Sequence, residues 1–263
     1  LAITKEYLSR PKEKLRGTST GMIELDKYLG GIREREITLI TGDTSSGKST
    51  FISWLLHKQL NTDTKCLLGS FEMSIEVMEA KLLSMANKKN VSKYGYFEGI
   101  STTVLDNLYF IDRQGTLSLE ELKRAIHDSY IRLGVRFVVL DHLHHFIQVG
   151  DHETEWQVLG TACREITEWV KNLKGLHLIL VVQFTKRHYD TTISKELIKG
   201  SSSIAQNADN IIVLVREPGL KTRVMVEKTR SDAANGGPDA FFFLKYNTET
   251  CCYERYEKPD TSF

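Results

Sequence analysis

Residues 36–50 read EITLITGDTSSGKST. The first six, EITLIT at 36–41, are rich in β-branched side chains and predict a buried strand. From Gly42 to Ser49 the chain fits G-x-x-x-x-G-K-S. FISWLLHKQL, 51–60, then has the length and the broad apolar face of a helix. A strand before the loop and a helix after it separate a phosphate cradle from a chance run of small residues. In that setting the glycines let the backbone curl until successive N–H groups point inward, and the helix adds its positive end. The predicted nucleotide loop is Gly42, Asp43, Thr44, Ser45, Ser46, Gly47, Lys48, Ser49 and Thr50. Lys48 would reach the outer phosphates of ATP or another NTP or dNTP, and Ser49 would ligate Mg2+.

Outward from the loop, short apolar runs alternate with amphipathic ones. TGMIELDKYLGG predicts a helix with Ile23, Leu25 and Leu29 on one face, stopped by Gly30 and Gly31. KCLLGSFE, 65–72, predicts a second buried strand ending in an acid, followed by a helix capped by Ser74. LYFID at 108–112 predicts a strand, and SLEE at 118–121 is a capping-box signature. VRFVVLDH, 135–142, and LHLILVVQ, 176–183, predict central parallel strands that end in polar residues. A helix with Leu159, Cys163, Ile166 and Val170 on one face lies between them. NIIVLV and RVMVEK predict strands paired around Pro218–Gly219, and AFFFLKY and CCYERY a terminal hairpin. Residues 87–107 receive no assignment. Strands alternating with helices, then a strand-rich end, predict an α/β fold, a mostly parallel central sheet flanked by helices with an antiparallel C-terminal extension.

Hydrolysis requires a residue to orient the attacking water and an acid to hold the metal shell. Parallel strands bring their C-terminal ends to one edge of the sheet, so the acids after the second and VVL strands belong beside the phosphate loop. Glu72 is the predicted water-orienting base and Asp141 the predicted magnesium-shell acid.

The totals exclude several classes. With 263 residues, 41% apolar and 26% charged, the chain is long enough for one substantial core and too apolar for wholesale disorder. The 35 Lys plus Arg against 34 Asp plus Glu give no uniform basic field, so any nucleic-acid contact must come from a local patch. Cys66, Cys163, Cys251 and Cys252 have no metal-type spacing and suggest a reducing compartment. No apolar run is long enough to span a bilayer, so no membrane partner is expected. The first residue is Leu rather than Met, and upstream sequence is expected.

In order, TGMIELDKYLGG, GDTSSGKST, GSFE, VVLDH, LVVQ, GSSSIAQNADNIIVL and EKTRSDAANGG resemble the RecA-like motor domain of the replicative ring helicases. That group includes Twinkle, the phage primase-helicases and, as a more distant likeness, DnaB. The resemblance runs from Gly17 to Tyr256. It implies a RecA-like P-loop NTPase at 17–258, a partial linker helix at 1–16 that docks on a neighbouring subunit, and a tail at 259–263. It supports Lys48, Ser49, Glu72 and Asp141 in the roles above. It also places Gln183 as a polar sensor where close relatives often have His. Lys228 and Arg230 take the position that reaches into the next subunit's nucleotide, and Arg216 and Tyr246 sandwich the base. In the channel loop at 185–200, Lys186, Arg187, His188, Lys195 and Lys199 would meet the phosphates of single-stranded DNA, and Gly200 and Ser201 would allow close approach of the backbone.

The function so implied is an ATP-dependent DNA helicase, a hexamer or heptamer ring moving on single-stranded DNA and opening forked duplex. Its partners would be DNA polymerase and single-strand-binding protein. Its place would be intracellular, in the mitochondrial nucleoid of a eukaryote or otherwise in phage or bacterial cytoplasm. A RecA-type recombinase filament and a RecA-like ATPase acting on proteins without DNA are the alternatives.

Overall fold

The computed structural model describes residues 17–70, 72–95, 98–112, 117–142, 155–182, 202–230, 236–237 and 239–256, the side chains at 155–157 and 202–203 excepted. Helix α1 (Ile23–Leu29) ends where Gly30 takes φ 76° and donates its N–H to the Asp26 carbonyl. Leu25 and Leu29 are buried as their spacing predicts, whereas Ile23 is 84% exposed and lies off the packed face. The predicted strand and helix around the Gly-rich loop are β1 (Glu36–Gly42) and α2 (Lys48–Leu60). Next come β2 (Cys66–Ser70) and α3 (Ile75–Asn87). Ser74 takes the N-cap position of α3 in extended geometry but makes no capping side-chain bond.

The unassigned stretch contains a single turn, α4 (Val91–Tyr94), and a 3-10 turn at Thr103–Leu105, both too short for periodicity to reveal. After β3 (Leu108–Phe110) the capping box forms as predicted at the start of α5 (Leu119–Asp128). The Glu121 N–H donates to Ser118 Oγ, and the Glu121 carboxylate accepts the Ser118 N–H. A π-helical turn, Ser129–Leu133, carries α5 to Gly134. The remaining elements are β4 (Phe137–Asp141), α6 (Glu155–Val170), β5 (His177–Val182) and α7 (Ser202–Asn207). They are followed by β6 (Asn210–Glu217), β7 (Lys221–Lys228), β8 (Phe241–Tyr246) and β9 (Tyr253–Tyr256).

The described strands form one nine-stranded sheet in the order β3-β2-β4-β5-β1-β6-β7-β8-β9. From β3 to β6 the neighbours are parallel; β7, β8 and β9 add to the edge as an antiparallel meander. Every residue of β4 and β5 is buried, as expected of central strands covered on both faces. Alternate side chains go to opposite layers. Phe137 and Val139 join Phe51, Leu55 and Leu82 of α2 and α3, whereas Val138 and Leu140 join Leu122, Ile166 and Val170 of α5 and α6. Because β1 lies between β5 and β6, the loop after it emerges at the same edge as the ends of β2 and β4.

Burial also makes stability depend on pH. His57 of α2 is 8% exposed; its Nε2 lies 3.1 Å from Asn61 Nδ2, and its Nδ1 has no hydrogen-bond partner among the described residues. Desolvation, assisted by the Lys58 charge, pushes its pKa from 6.5 down to about 4. Between those values the unfolded chain binds a proton that the folded chain refuses. Stability is therefore expected to fall as pH drops through this window, by on the order of 3 kcal/mol from this group. Urea denaturation at pH 7.5 and 4.5 checks it: His57→Gln should flatten the acid loss, and an unchanged loss would refute the assignment.

Candidate active site

The loop between β1 and α2 curls because three of its residues adopt positive φ: Gly42 at 153°, Ser45 at 63° and Gly47 at 96°. A Cβ on Gly47 would come within 2.6 Å of the Tyr253 hydroxyl, and one on Gly42 would collide with the Leu214 carbonyl of β6. Glycine is required here for close approach as well as for curl. Lys48 is 6% exposed and folds back over the loop, its ammonium donating to the carbonyls of Gly42 at 2.9 Å and Asp43 at 2.8 Å. Burial lowers its pKa, and the charges of Asp141, Glu72 and Asp43 pull the other way. Ser46 Oγ and Thr41 Oγ1 are buried with no hydrogen-bond partner among the described residues. A cradle lined with unmatched polar atoms is built to hold a polar ligand.

Both predicted acids arrive beside this loop. Asp141, the last residue of β4, is fully buried, and Glu72 stands two residues past β2 with its side chain 53% exposed. His142 joins them: its Nε2 hydrogen-bonds Glu72 Oε2 and lies 3.3 Å from Asp141 Oδ1. Potential ligand atoms of the three residues lie within 4.8 Å of one another. Neither Asp141 oxygen has a hydrogen-bond partner among the described residues. Burial raises its pKa and the Glu72 charge adds to this, whereas His142, Lys48 and Lys81 oppose it. A buried carboxylate so poorly matched by donors is one that a cation would satisfy. Magnesium demands oxygen ligands, so of these three residues the carboxylates of Asp141 and Glu72 could hold it, rather than the imidazole.

Sequence reading overlooked His142, Lys81 and Tyr253. Lys81 of α3 is buried enough to lower its pKa, and it feels the charges of Asp141, Cys251 and Glu72. Only the DH pair closing β4 hinted at the histidine; nothing in the spacing of α3 marked the lysine. Tyr253, from the last strand, backs the phosphate loop. Its hydroxyl donates to the Gly47 carbonyl at 3.4 Å, and its ring meets Phe51 edge-on at 6.2 Å.

Two further predicted groups gather nearby. The Tyr246 ring lies 5.8 Å from that of Tyr253, and burial raises its hydroxyl pKa. Burial likewise holds the Tyr253 hydroxyl up, against a bond from Thr222 and the charge of Arg216, which is exposed on β6. Tyr246 therefore stands beside Tyr253 behind the loop, and Arg216 is near enough for its charge to reach the Tyr253 hydroxyl. Lys228 and Arg230, by contrast, turn to their own chain at the end of α7. Lys228 Nζ donates to the carbonyls of Ala205, Gln206 and Ala208, and Arg230 pairs with Asp209 at 3.1 Å. Gln183, Lys186, Arg187, His188, Lys195, Lys199, Gly200 and Ser201 lie outside the described residues, as do the linker at 1–16 and the tail at 259–263.

Residues 17–248 match the DnaB-like helicase C terminal domain. The chain belongs to that family. Among curated proteins it is similar to the replicative DNA helicase DnaB of Rickettsia conorii, at 24% identity over 79% of this chain and 47% of the relative. DnaB of Buchnera aphidicola is 25% identical over 82% of this chain and 50% of its own length. The chain thus spans about half the length of the curated DnaB relatives. Among solved structures, the ATPase domain of a phage helicase superposes with a TM-score of 0.79 at 18% identity, covering 97% of both chains. A DnaB-like replicative helicase studied with primase gives 0.78 at 19% identity, covering 97% of this chain and 66% of that one. These superpositions establish a RecA-like fold, with the antiparallel extension on its parallel sheet.

Proposed function

We propose that the protein is the motor of a ring-forming replicative DNA helicase, using ATP or another NTP or dNTP to move along single-stranded DNA and open forked duplex. Family membership together with the strand-end acids beside the phosphate loop carries this reading. The loop N–H groups and Lys48 bind the phosphates, and Lys48 exchanges its two carbonyl contacts for the outer phosphate oxygens. Asp141 and Ser49 would hold magnesium, which when bound neutralises charge on the phosphate oxygens. Glu72 orients water and takes its proton as the oxygen attacks the γ-phosphorus, whose bond to the β–γ bridging oxygen breaks so that the nucleoside diphosphate leaves. His142 holds the Glu72 carboxylate near the end of β4, where the two acids converge. Arg216 and Tyr246 flank the base, tolerating more than one kind because stacking and a guanidinium face are sequence-blind.

The partner subunit's Arg230 stabilises charge developing on the transferred phosphoryl, which makes a ring of six or seven copies necessary for full turnover. Gln183 would sense the γ-phosphate, and the segment at 185–200 would grip DNA through its basic side chains. The motor domain is taken as 17–258, with 1–16 as linker. DNA polymerase, single-strand-binding protein and a primase activity are the expected replication partners, in a DNA-containing intracellular compartment, bacterial, phage or mitochondrial. No helix among the described residues is long and apolar enough to cross a membrane.

Strand displacement from a forked duplex by the full-length protein tests the reading. Displacement that requires hydrolysable nucleotide is the expected result. ATPase stimulated by DNA without displacement would point instead to a recombinase filament, and ATPase indifferent to DNA to a protein-remodelling ATPase.

A further inference from the structure

At the N-terminal edge of the sheet, opposite the phosphate loop, a buried acid joins the reach of Arg230 to the strand that carries that loop. Asp209 sits between α7 and β6 and is 4% exposed. Its Oδ2 accepts the Ile37 N–H of β1 at 3.0 Å, and its own N–H donates back to the Ile37 carbonyl at 3.0 Å. Oδ1 accepts Arg230 Nη1 at 3.1 Å, while Arg230 Nη2 donates to the Gln206 carbonyl at 2.9 Å. Lys228, two residues earlier, is spent on the carbonyls that end α7. Such carbonyls have no partner within the helix, and cations at a helix C-terminus satisfy them. The Arg230 side chain remains 45% exposed, so one side of the guanidinium is fixed and the other open.

We infer that Asp209 is a positioning residue, tying the Arg230 guanidinium to the first residues of β1 so that its open side is aimed at the neighbouring subunit's nucleotide. The inference rests on the reading of Arg230 as the residue that acts across the subunit interface. A long arginine side chain held at one end loses less rotamer freedom when it meets the transferred phosphoryl. Because β1 ends in the subunit's own phosphate loop, the anchor also sets the position of Arg230 by the same strand that positions the local nucleotide. Lys228 acts alongside as the clamp on α7, the first described element after the predicted DNA segment.

The test uses full-length rings with single-stranded DNA. The amide introduced by Asp209→Asn keeps one acceptor oxygen but cannot serve both Ile37 and Arg230, and the charge is lost. Asp209→Asn should therefore lower kcat for nucleotide hydrolysis roughly 10- to 100-fold, the effect of one charge-assisted hydrogen bond, with KM within about twofold of wild type. Because Asp209 acts through Arg230, the double variant Asp209→Asn/Arg230→Ala should be no slower than Arg230→Ala alone. Additive losses in the double variant, or a raised KM with kcat unchanged, would overturn the inference and leave Asp209 a purely structural group. If Asp209→Asn fails to assemble, Asp209→Glu keeps the charge while displacing it by a methylene, and the same loss of kcat at constant KM is expected; wild-type kcat in that variant would overturn the inference. Should Arg230→Ala itself turn over normally, the trans-acting role falls, and positioning falls with it. A damaging Arg230→Ala beside an innocuous Asp209→Asn removes the positioning role alone.

Discussion

Lys48→Ala is expected to abolish nucleotide hydrolysis, lowering kcat by at least about 10²- to 10³-fold, the scale on which losing one preorganised donor slows a reaction. Lys48 is held at 6% exposure by two loop carbonyls, and three carboxylates draw its proton back against the effect of burial. A cation so placed has given up most of its water before the ligand arrives, so little reorganisation remains when phosphate oxygens replace the carbonyls. Alanine leaves those carbonyls facing the incoming phosphates, so affinity should weaken as well. Steady-state ATPase and fluorescent-nucleotide titration check both parts. Near-normal turnover would mean that the cradle between β1 and α2 is not where the reaction occurs.

Arg230→Ala should behave differently. Nucleotide binding is expected to survive, because in each subunit Arg230 lies across the sheet from the local phosphate loop, beside Asp209 and the end of α7. Turnover should fall about 10³- to 10⁵-fold, as when an arginine finger is removed. A guanidinium acts only on charge that develops during transfer, so its loss appears in kcat rather than in KM. Mixing this variant with Lys48→Ala separates the roles: rings containing both should recover some activity where an intact loop meets an intact Arg230. Absence of any recovery, with mixed rings demonstrated, would refute the action of Arg230 on the neighbouring subunit's nucleotide.

The sequence carried the layout of the site further than its contacts. A β-branched run entering a glycine loop can form few other structures, and the buried parallel strands forced Glu72 and Asp141 to one edge. Those inferences needed only periodicity and the geometry of parallel sheets. His142 was hidden because a strand-end imidazole reads the same whether it faces water or two carboxylates. Lys81 was hidden because a lysine within an amphipathic helix ordinarily faces solvent, and only the packing of α3 on the sheet turns it toward the acids. The clamp by Lys228 depends on β6 and β7 lying side by side, which places the end of β7 beneath the helix preceding β6. Alternation within RVMVEK could not report that. Ile23 failed for a simpler reason: it stands two residues before Leu25 and so lies on the other side of α1, whose packed face is made by Leu25, Tyr28 and Leu29.

Tyr253 contributes its hydroxyl to Gly47 across 206 residues of chain. A ribosome therefore releases the glycine loop and its helix long before the tyrosine that backs them has been synthesised. During that interval the emerging polypeptide carries a phosphate-binding motif without its rear wall, and the finished grip on a nucleotide belongs to the completed molecule alone.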